Sequence, residues 1–222
     1  INYDDSQRAF DIIHVIALLH SKTTYNKEVD YDEYKTIYEE TINKIDYIYN
    51  YYLDIINVIE SKIYMSPSEY LIARNISKIF SCIYFCKNEM ESWYELVKTK
   101  KRKRVVTLHN NLKLDNLIKN KQTFLISWDK SKIDMPIYDI VNFYNRYALN
   151  FDFKGLLSEY ERIFPLLEDE KKLLSVLISI PEKIINTKSE YEMVKSVRHL
   201  LDKIYKTEIL LTPEEEEKTK ST

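Results

Sequence analysis

His109-Asn110-Asn111-Leu112-Lys113-Leu114-Asp115-Asn116 is the stretch on which the reading of this chain turns. It is polar, irregular and free of helical or strand periodicity. On its N-terminal side Val105-Val106-Thr107 reads as a short strand. On its C-terminal side Leu117–Lys119 and Thr123–Ile126 are two short β-prone runs joined by Asn120–Gln122, the pattern of a β-hairpin. Beyond the hairpin come Leu125-Ile126-Ser127-Trp128-Asp129 and then Asp134-Met135-Pro136-Ile137-Tyr138-Asp139. A polar loop held between a strand and a hairpin, with acids close behind, is a place where side chains from distant elements can converge.

Outward from this centre the chain reads as helix. Phe10, Ile13, Ala17 and Leu18 lie at helical spacing within Ser6–Ser21, and Thr23–Asn26 reads as a turn. A wide apolar face then runs from Asp30 to Ile63 through Tyr34, Ile37, Ile45, Ile48, Tyr52, Ile56 and Ile59. Ser66-Pro67-Ser68-Glu69 starts the next helix. Ser66 suits the N-cap, Pro67 the first turn, and Glu69 the capping-box position. That helix is expected to reach Phe85–Asn88, with a further short one over Glu89–Lys98. After Pro136 the periodicity predicts helices over Ile137–Ala148, Phe153–Arg162, Leu166–Ile178 and Ser189–Tyr205, punctuated by Pro165 and Pro181. The expected fold class is mainly α with a small β-hairpin. Residues 1–211 are expected to form one domain and 212–222, which carry Glu214–Glu217, a disordered acidic tail.

Composition removes several function classes. The chain has 222 residues, enough for a core of its own. Its net charge of −2 gives no general argument for a nucleic-acid or anionic-membrane partner. A single glycine, Gly155, rules out a dinucleotide-binding turn or a Walker loop within these residues, since both need several glycines to bring backbone amides to phosphate. Two cysteines cannot make a disulfide framework, so a reducing, cytoplasmic setting is expected. No apolar run approaches the roughly 20 residues of a membrane span, and the polar N-terminus is no signal peptide. It begins without Met, which fits a piece of a longer protein.

The loop, the hairpin and the acids after it resemble the catalytic core of aminoglycoside phosphotransferases, choline kinases and spore-coat kinase-like proteins. Their pattern is His-Gly-Asp-Leu-x-x-x-Asn, a hairpin, Ile-Asp-Trp or Ile-Asp-Phe, then Asp-x-x-x-Asp-Leu. Leu18-Leu19-His20-Ser21 resembles the Leu-x-x-Leu-His-Ser helix of the same family, so the resemblance spans about residues 10–150. It implies a protein-kinase-like C-terminal lobe, with the N-lobe and its nucleotide loop not in this chain. Phosphoryl transfer relies on positioning and charge neutralisation, so the family needs one carboxylate as base and another as Mg²⁺ ligand. By this resemblance the catalytic Asp falls at Asn111, a metal Asp at Ser127 and the metal Asn at Asn116. Asn110 stands at the loop glycine. His109, Asp134 and Asp139 match structural residues, and Asp139 is expected either to cap the helix from Ile137 or to brace the loop.

An amide cannot act as a base, and a hydroxyl brings no charge to a metal. The resemblance with both carboxylates replaced implies a non-catalytic, pseudokinase-like module acting through binding or regulation. The alternative is an atypical phosphotransferase, using ATP and Mg²⁺ on the hydroxyl of an aminoglycoside, choline or sugar. No cofactor is expected otherwise. Expected partners are an N-terminal lobe, another protein or a second copy on the cleft-facing surface. A helical structural protein with a chance motif is a third reading, which the Leu18–Ser21 helix opposes. Rescue by Asp129 would need it on Ser127's strand, about 6–7 Å further along. Asp115 could substitute as base, but for both acids a solvated loop position is the favoured reading.

Other features have plainer explanations. Lys98–Arg104 places six cations in seven residues but interleaves no aromatics for base stacking, and reads as a solvated loop. Cys82 and Cys86 are i,i+4 on an apolar helix with no second ligand pair, and read as core. His14, His20 and His199 read as core or surface histidines. The tyrosine-rich helix Asp30–Ile63 reads as core with hydroxyls at its rim.

Overall fold

The computed structural model describes residues 4–119, 123–185, 187 and 189–212. Seven helices dominate the described residues: α1 (Asp5–Thr23), α2 (Tyr31–Glu60), α3 (Pro67–Val97), α4 (Ile137–Tyr147), α5 (Phe153–Ile163), α6 (Glu168–Ser179) and α7 (Glu190–Leu211). Five short strands accompany them: β1 (Tyr25–Glu28), β2 (Arg102–Leu108), β3 (Leu117–Lys119), β4 (Thr123–Leu125) and β5 (Lys132–Asp134). The strands form an antiparallel sheet in the order β1-β2-β5 and a separate β3-β4 pair.

Two apolar stripes explain the long helical pair. Ile79, Ile83, Cys86, Met90, Trp93 and Val97 recur at intervals of three and four along α3, and all are buried. Ile45, Ile48, Tyr52, Ile56 and Ile59 do the same on α2. The stripes close on each other, with Tyr34 edge-on to Trp93 at 5.9 Å between centroids. The other face of α3 receives α6 and α7, while α1 lies against α5. The start of α3 is as expected. Ser66 accepts from Glu69 N at 3.4 Å, and Glu69 accepts from Ser66 N at 2.9 Å, satisfying two donors that a helix start leaves free.

The structure corrects the expected elements in four places. The helix from Pro67 does not stop at Phe85–Asn88 but continues unbroken to Val97. Asn88 is exposed there, while the half-buried Lys87 and Glu89 pair sideways with Asp46 of α2 and Lys172 of α6, so the polar interruption is the helix's solvent edge. The turn over Thr23–Asn26 gives way at Tyr25 to a strand, with Tyr25 paired to Val105. A fifth strand, Lys132–Asp134, pairs with β2 at Val106–Leu108. Finally, the basic run is not wholly a solvated loop, because β2 begins inside it at Arg102. Lys103 is buried in ion pairs with Glu33 and, at 3.5 Å, Asp134. The hairpin is present as Leu117–Lys119 against Thr123–Leu125, with its joining residues 120–122 outside the described residues. The expected acidic tail, from 213 onward, also lies outside them.

No helix is long and apolar enough to cross a membrane, among the described residues. What matters for function is that β2 ends at Leu108, on the floor of the core, and delivers the chain directly into the polar loop.

Candidate active-site loop

A single buried carboxylate organises the loop. Asp139, in the first turn of α4, is wholly buried. Its Oδ1 accepts from Asn110 N at 2.6 Å, and its Oδ2 accepts from His109 N at 2.8 Å. A third donor is His20 Nε2 on α1, at 3.3 Å from Oδ2. Charge-assisted bonds to backbone amides are among the stronger ones a protein makes, and they discharge the cost of burying the anion. Of the two roles expected for Asp139, the brace is the one the contacts describe. The N-cap position of α4 is Pro136.

Behind the brace stands a second layer. The Nδ1 of His20 lies 2.6 Å from the Tyr160 hydroxyl on α5. Burial pushes the Tyr160 phenol well above its ordinary range, so it stays protonated and can donate to that nitrogen when Nε2 carries the ring proton. The chain Tyr160–His20–Asp139 thus links α5, α1 and α4 to two loop amides. His20, which belongs to the Leu18–Ser21 helix of the resemblance and reads as a core or surface histidine, is fully buried. His14 is a half-exposed partner of Glu159 at 2.7 Å.

The loop's own residues complete the frame. His109 is fully buried. Its Nδ1 accepts from Asn111 N at 3.3 Å, which leaves Nε2 to donate to Ile126 O at 2.8 Å. Its ring meets the Trp128 edge at 4.7 Å. Asn116 Nδ2 donates to Asn111 O at 2.8 Å, and Asn116 O accepts from Ile126 N at 2.9 Å. Both backbone groups of Ile126 are therefore tied to the loop, one to each end. Ser127 follows Ile126 in the chain, next to the point where the hairpin's end is tied to the loop. Asp134 accepts from Met135 N at 2.8 Å and from Lys132 at 3.0 Å, a structural anchor for the end of β5.

Backbone conformation marks two positions. Asn110, at φ 58°, and Ser127, at φ 66°, have left-handed backbones, and no other non-glycine does among the described residues. Asn is one of the few side chains that tolerate this region, and Asn110 is further held by Lys130 O at 3.2 Å and Asn142 Nδ2 at 3.0 Å. Serine tolerates it less well, and strain of this kind gathers at functional sites. Ser127 is exposed and leads into a 3₁₀ turn over Trp128–Lys130. Asp129 is therefore on that turn and not on an extension of Ser127's strand. The spacing that a strand would give it relative to Ser127 does not apply. Asp115 is exposed on the 3₁₀ turn Leu114–Asn116.

At Asn111, Asn116 and Ser127 the side chains are neutral hydrogen-bonding groups. At the positions that the resemblance assigns to metal, the donors are the carboxamide of Asn116 and the hydroxyl of Ser127. That set brings no anionic oxygen to a hard dication, which is bound through at least one carboxylate in most protein sites. No group of three or more His, Cys, Asp or Glu side chains is placed to hold a metal, among the described residues. Cys86 is buried, and Cys82, half-buried, donates to Ser179 O at 3.0 Å, in keeping with core cysteines.

Comparison with known proteins adds a fold. No protein-family model matches the chain, and no curated protein matches it by sequence. A spectinomycin phosphotransferase in complex with ADP and spectinomycin superposes with a TM-score of 0.42 at 13% identity, over 94% of this chain and 67% of that one. The superposition is too loose to weigh. An aminoglycoside phosphotransferase from Alicyclobacillus acidocaldarius superposes with a TM-score of 0.63 at 10% identity. The match covers 93% of this chain and 64% of the other, so this chain spans less than two-thirds of that protein's length. Over those residues, the chain has the fold of an aminoglycoside phosphotransferase.

Proposed function

We propose that this chain is a degenerate phosphotransferase-family lobe, residues 1–211, that works through binding or regulation and does not transfer phosphate. The observation that carries the reading is a contrast within one loop. Its bracing is intact, from Asp139 through His109 to Asn116, while amide and hydroxyl stand at Asn111 and Ser127, where the chemistry requires carboxylates. A loop held this firmly still presents a fixed polar surface to a partner. The cleft-facing side is a place for an N-terminal lobe, another protein or a second copy. The closer relation to spore-coat kinase-like proteins and a cytoplasmic location belong to the same proposal.

The test is thermal unfolding of the full-length protein with ATP, with and without Mg²⁺. Ligand bound to the folded state at about 100 times its Kd stabilises by ~2.7 kcal/mol, which a melting curve resolves easily. The expected result is no Mg²⁺-dependent shift for the parent protein. A gain is expected when Asn111→Asp and Ser127→Asp are introduced together. Clear Mg²⁺-dependent stabilisation of the parent by ATP would instead support the alternative, an atypical ATP-dependent phosphotransferase acting on a small hydroxyl compound.

A further inference from the structure

The far end of the helical bundle carries a surface that the loop does not explain. Ile59 on α2 is roughly 40 Å along the helix from Tyr34, which hydrogen-bonds to β2 at Arg102 O. There the end of α2, the start of α3 and the start of α7 enclose an open cleft of about 530 Å³. Its apolar wall includes Ile55, Val58, Ile184 and Met193. Further exposed apolar residues neighbour the lining residues in the chain. Ile63 and Tyr64, at the tip of the α2–α3 connection, are 91% and 88% exposed, and Ile185 is 71% exposed. Large apolar side chains exposed around an apolar cleft are a mark of interaction surfaces.

Charge decides what kind of partner fits. The wall holds three carboxylates, Asp54, Glu69 and Glu190, and no lysine or arginine. Lys62 and the Ser66 amide hold Glu69 below its ordinary carboxylate range, and the Ser68 amide does the same for Glu190. Both are therefore anionic at neutral pH. Lys62, paired with Glu69, and Lys183, 4.7 Å from the Tyr51 ring, border the cleft, so the negative charge it offers a partner rests on Asp54 and Glu190. A second open cleft, about 490 Å³ between α4, α5 and α7, has the opposite balance, with Lys154 and Lys206 against Asp152. The two clefts thus differ in the sign of the charge that lines them.

We propose that the α2–α3–α7 cleft docks a basic amphipathic helix of a partner protein. The helix would lay its apolar face along Val58, Ile55 and Met193 and continue over Ile63 and Tyr64, a length greater than one small molecule covers. Its flanking lysines or arginines would meet Asp54 and Glu190. Nothing in this site depends on the loop or on nucleotide.

The probe is a labelled amphipathic peptide of leucine and lysine, roughly 18 residues long so that helix can form on binding. Its fluorescence anisotropy is followed on the full chain. Binding is expected in the micromolar range and is expected to weaken as salt is raised, as screened charges require. Val58→Arg should weaken it about tenfold or more, which corresponds to ~1.4 kcal/mol. Val58 is 57% exposed, so arginine fits there, and Ile63→Asp in the connection serves as a second variant. Ile209→Arg, in the lysine-bearing cleft, should change nothing. Equal binding of a leucine–glutamate peptide would overturn the proposal, as would indifference to both Val58→Arg and Ile63→Asp. So would cosedimentation with phosphatidylserine vesicles, or a concentration-dependent dimer of the chain itself, if Val58→Arg abolished it.

Discussion

Asn110 bears on the loop through its backbone more than through its side chain. At φ 58° it turns the chain so that its own amide and that of His109 converge on Asp139. Asn110→Gly would relieve the left-handed strain but lose the bonds to Lys130 O and Asn142. Asn110→Ala would lose the same bonds and keep the strain. The alanine variant should therefore be less stable than the glycine variant by about 1 kcal/mol, in urea unfolding at constant slope. Only part of this site was legible in the sequence. The order His109, Asn111, Asn116, Ser127, Asp139 pointed to one loop, because those residues lie within 31 positions of each other. The layer behind Asp139 was not legible. Tyr160 and His20 are separated by 140 residues, and nothing in the local pattern of either tells that they meet. The left-handed turn had one visible signal, an asparagine where the resembled pattern carries glycine.

Elements tell a similar story. The helices announced themselves because each buries one apolar face, and α3 also because Ser66, Pro67 and Glu69 spell out its first turn. Strands β1 and β5 did not. Tyr25–Glu28 and Lys132–Asp134 are short, largely exposed edge strands, and they exist through hydrogen bonds to β2 rather than through any alternation of their own. Lys103 and Arg104 were misread for the same reason, since the basic run shows no sign of the carboxylates that wait for it. One contact between elements makes a pH prediction. Glu159 on α5 receives Arg162 at 2.8 Å and His14 of α1 at 2.7 Å, and these hold its carboxyl at about 2, against an ordinary 4.5. A depressed carboxylate stabilises the fold above its unfolded value, and that contribution is lost as pH falls through the folded value. The wild type should thus be more stable than Glu159→Gln above about pH 4.5, and the gap should shrink as pH falls toward 2. Chemical unfolding at a series of acid pH values measures it. A gap constant across that range would show that Glu159 adds nothing through its charge.

At the scale of the whole molecule the question is what joins the sheet to the helical core. Val106 and Leu108 of β2 enter the core, yet β2 is flanked only by two short strands. Arg104 supplies the lateral tie. Its guanidinium grips Glu170 of α6 through Nε at 2.9 Å and again through a terminal nitrogen, which also donates to Pro165 O at 2.9 Å. It lies over the Phe164 ring at 4.1 Å, and Phe164 in turn meets the edge of His20 at 6.1 Å. The pair therefore supports, at one remove, the histidine that steadies the loop brace. Glu170 is only 3% exposed and also caps Leu167 N at 2.9 Å. Arg104→Met would leave that carboxylate buried without its cation, a loss of about 3–5 kcal/mol for pairs of this kind. Adding Glu170→Leu removes the stranded charge, so the double variant should recover much of the loss, short of the Leu167 cap. Urea unfolding of the two single variants and the double one measures this coupling. The expected sign is a double variant more stable than Arg104→Met alone. If the losses simply add, the tie between sheet and helices is made by the aliphatic packing of β2 and not by the ion pair.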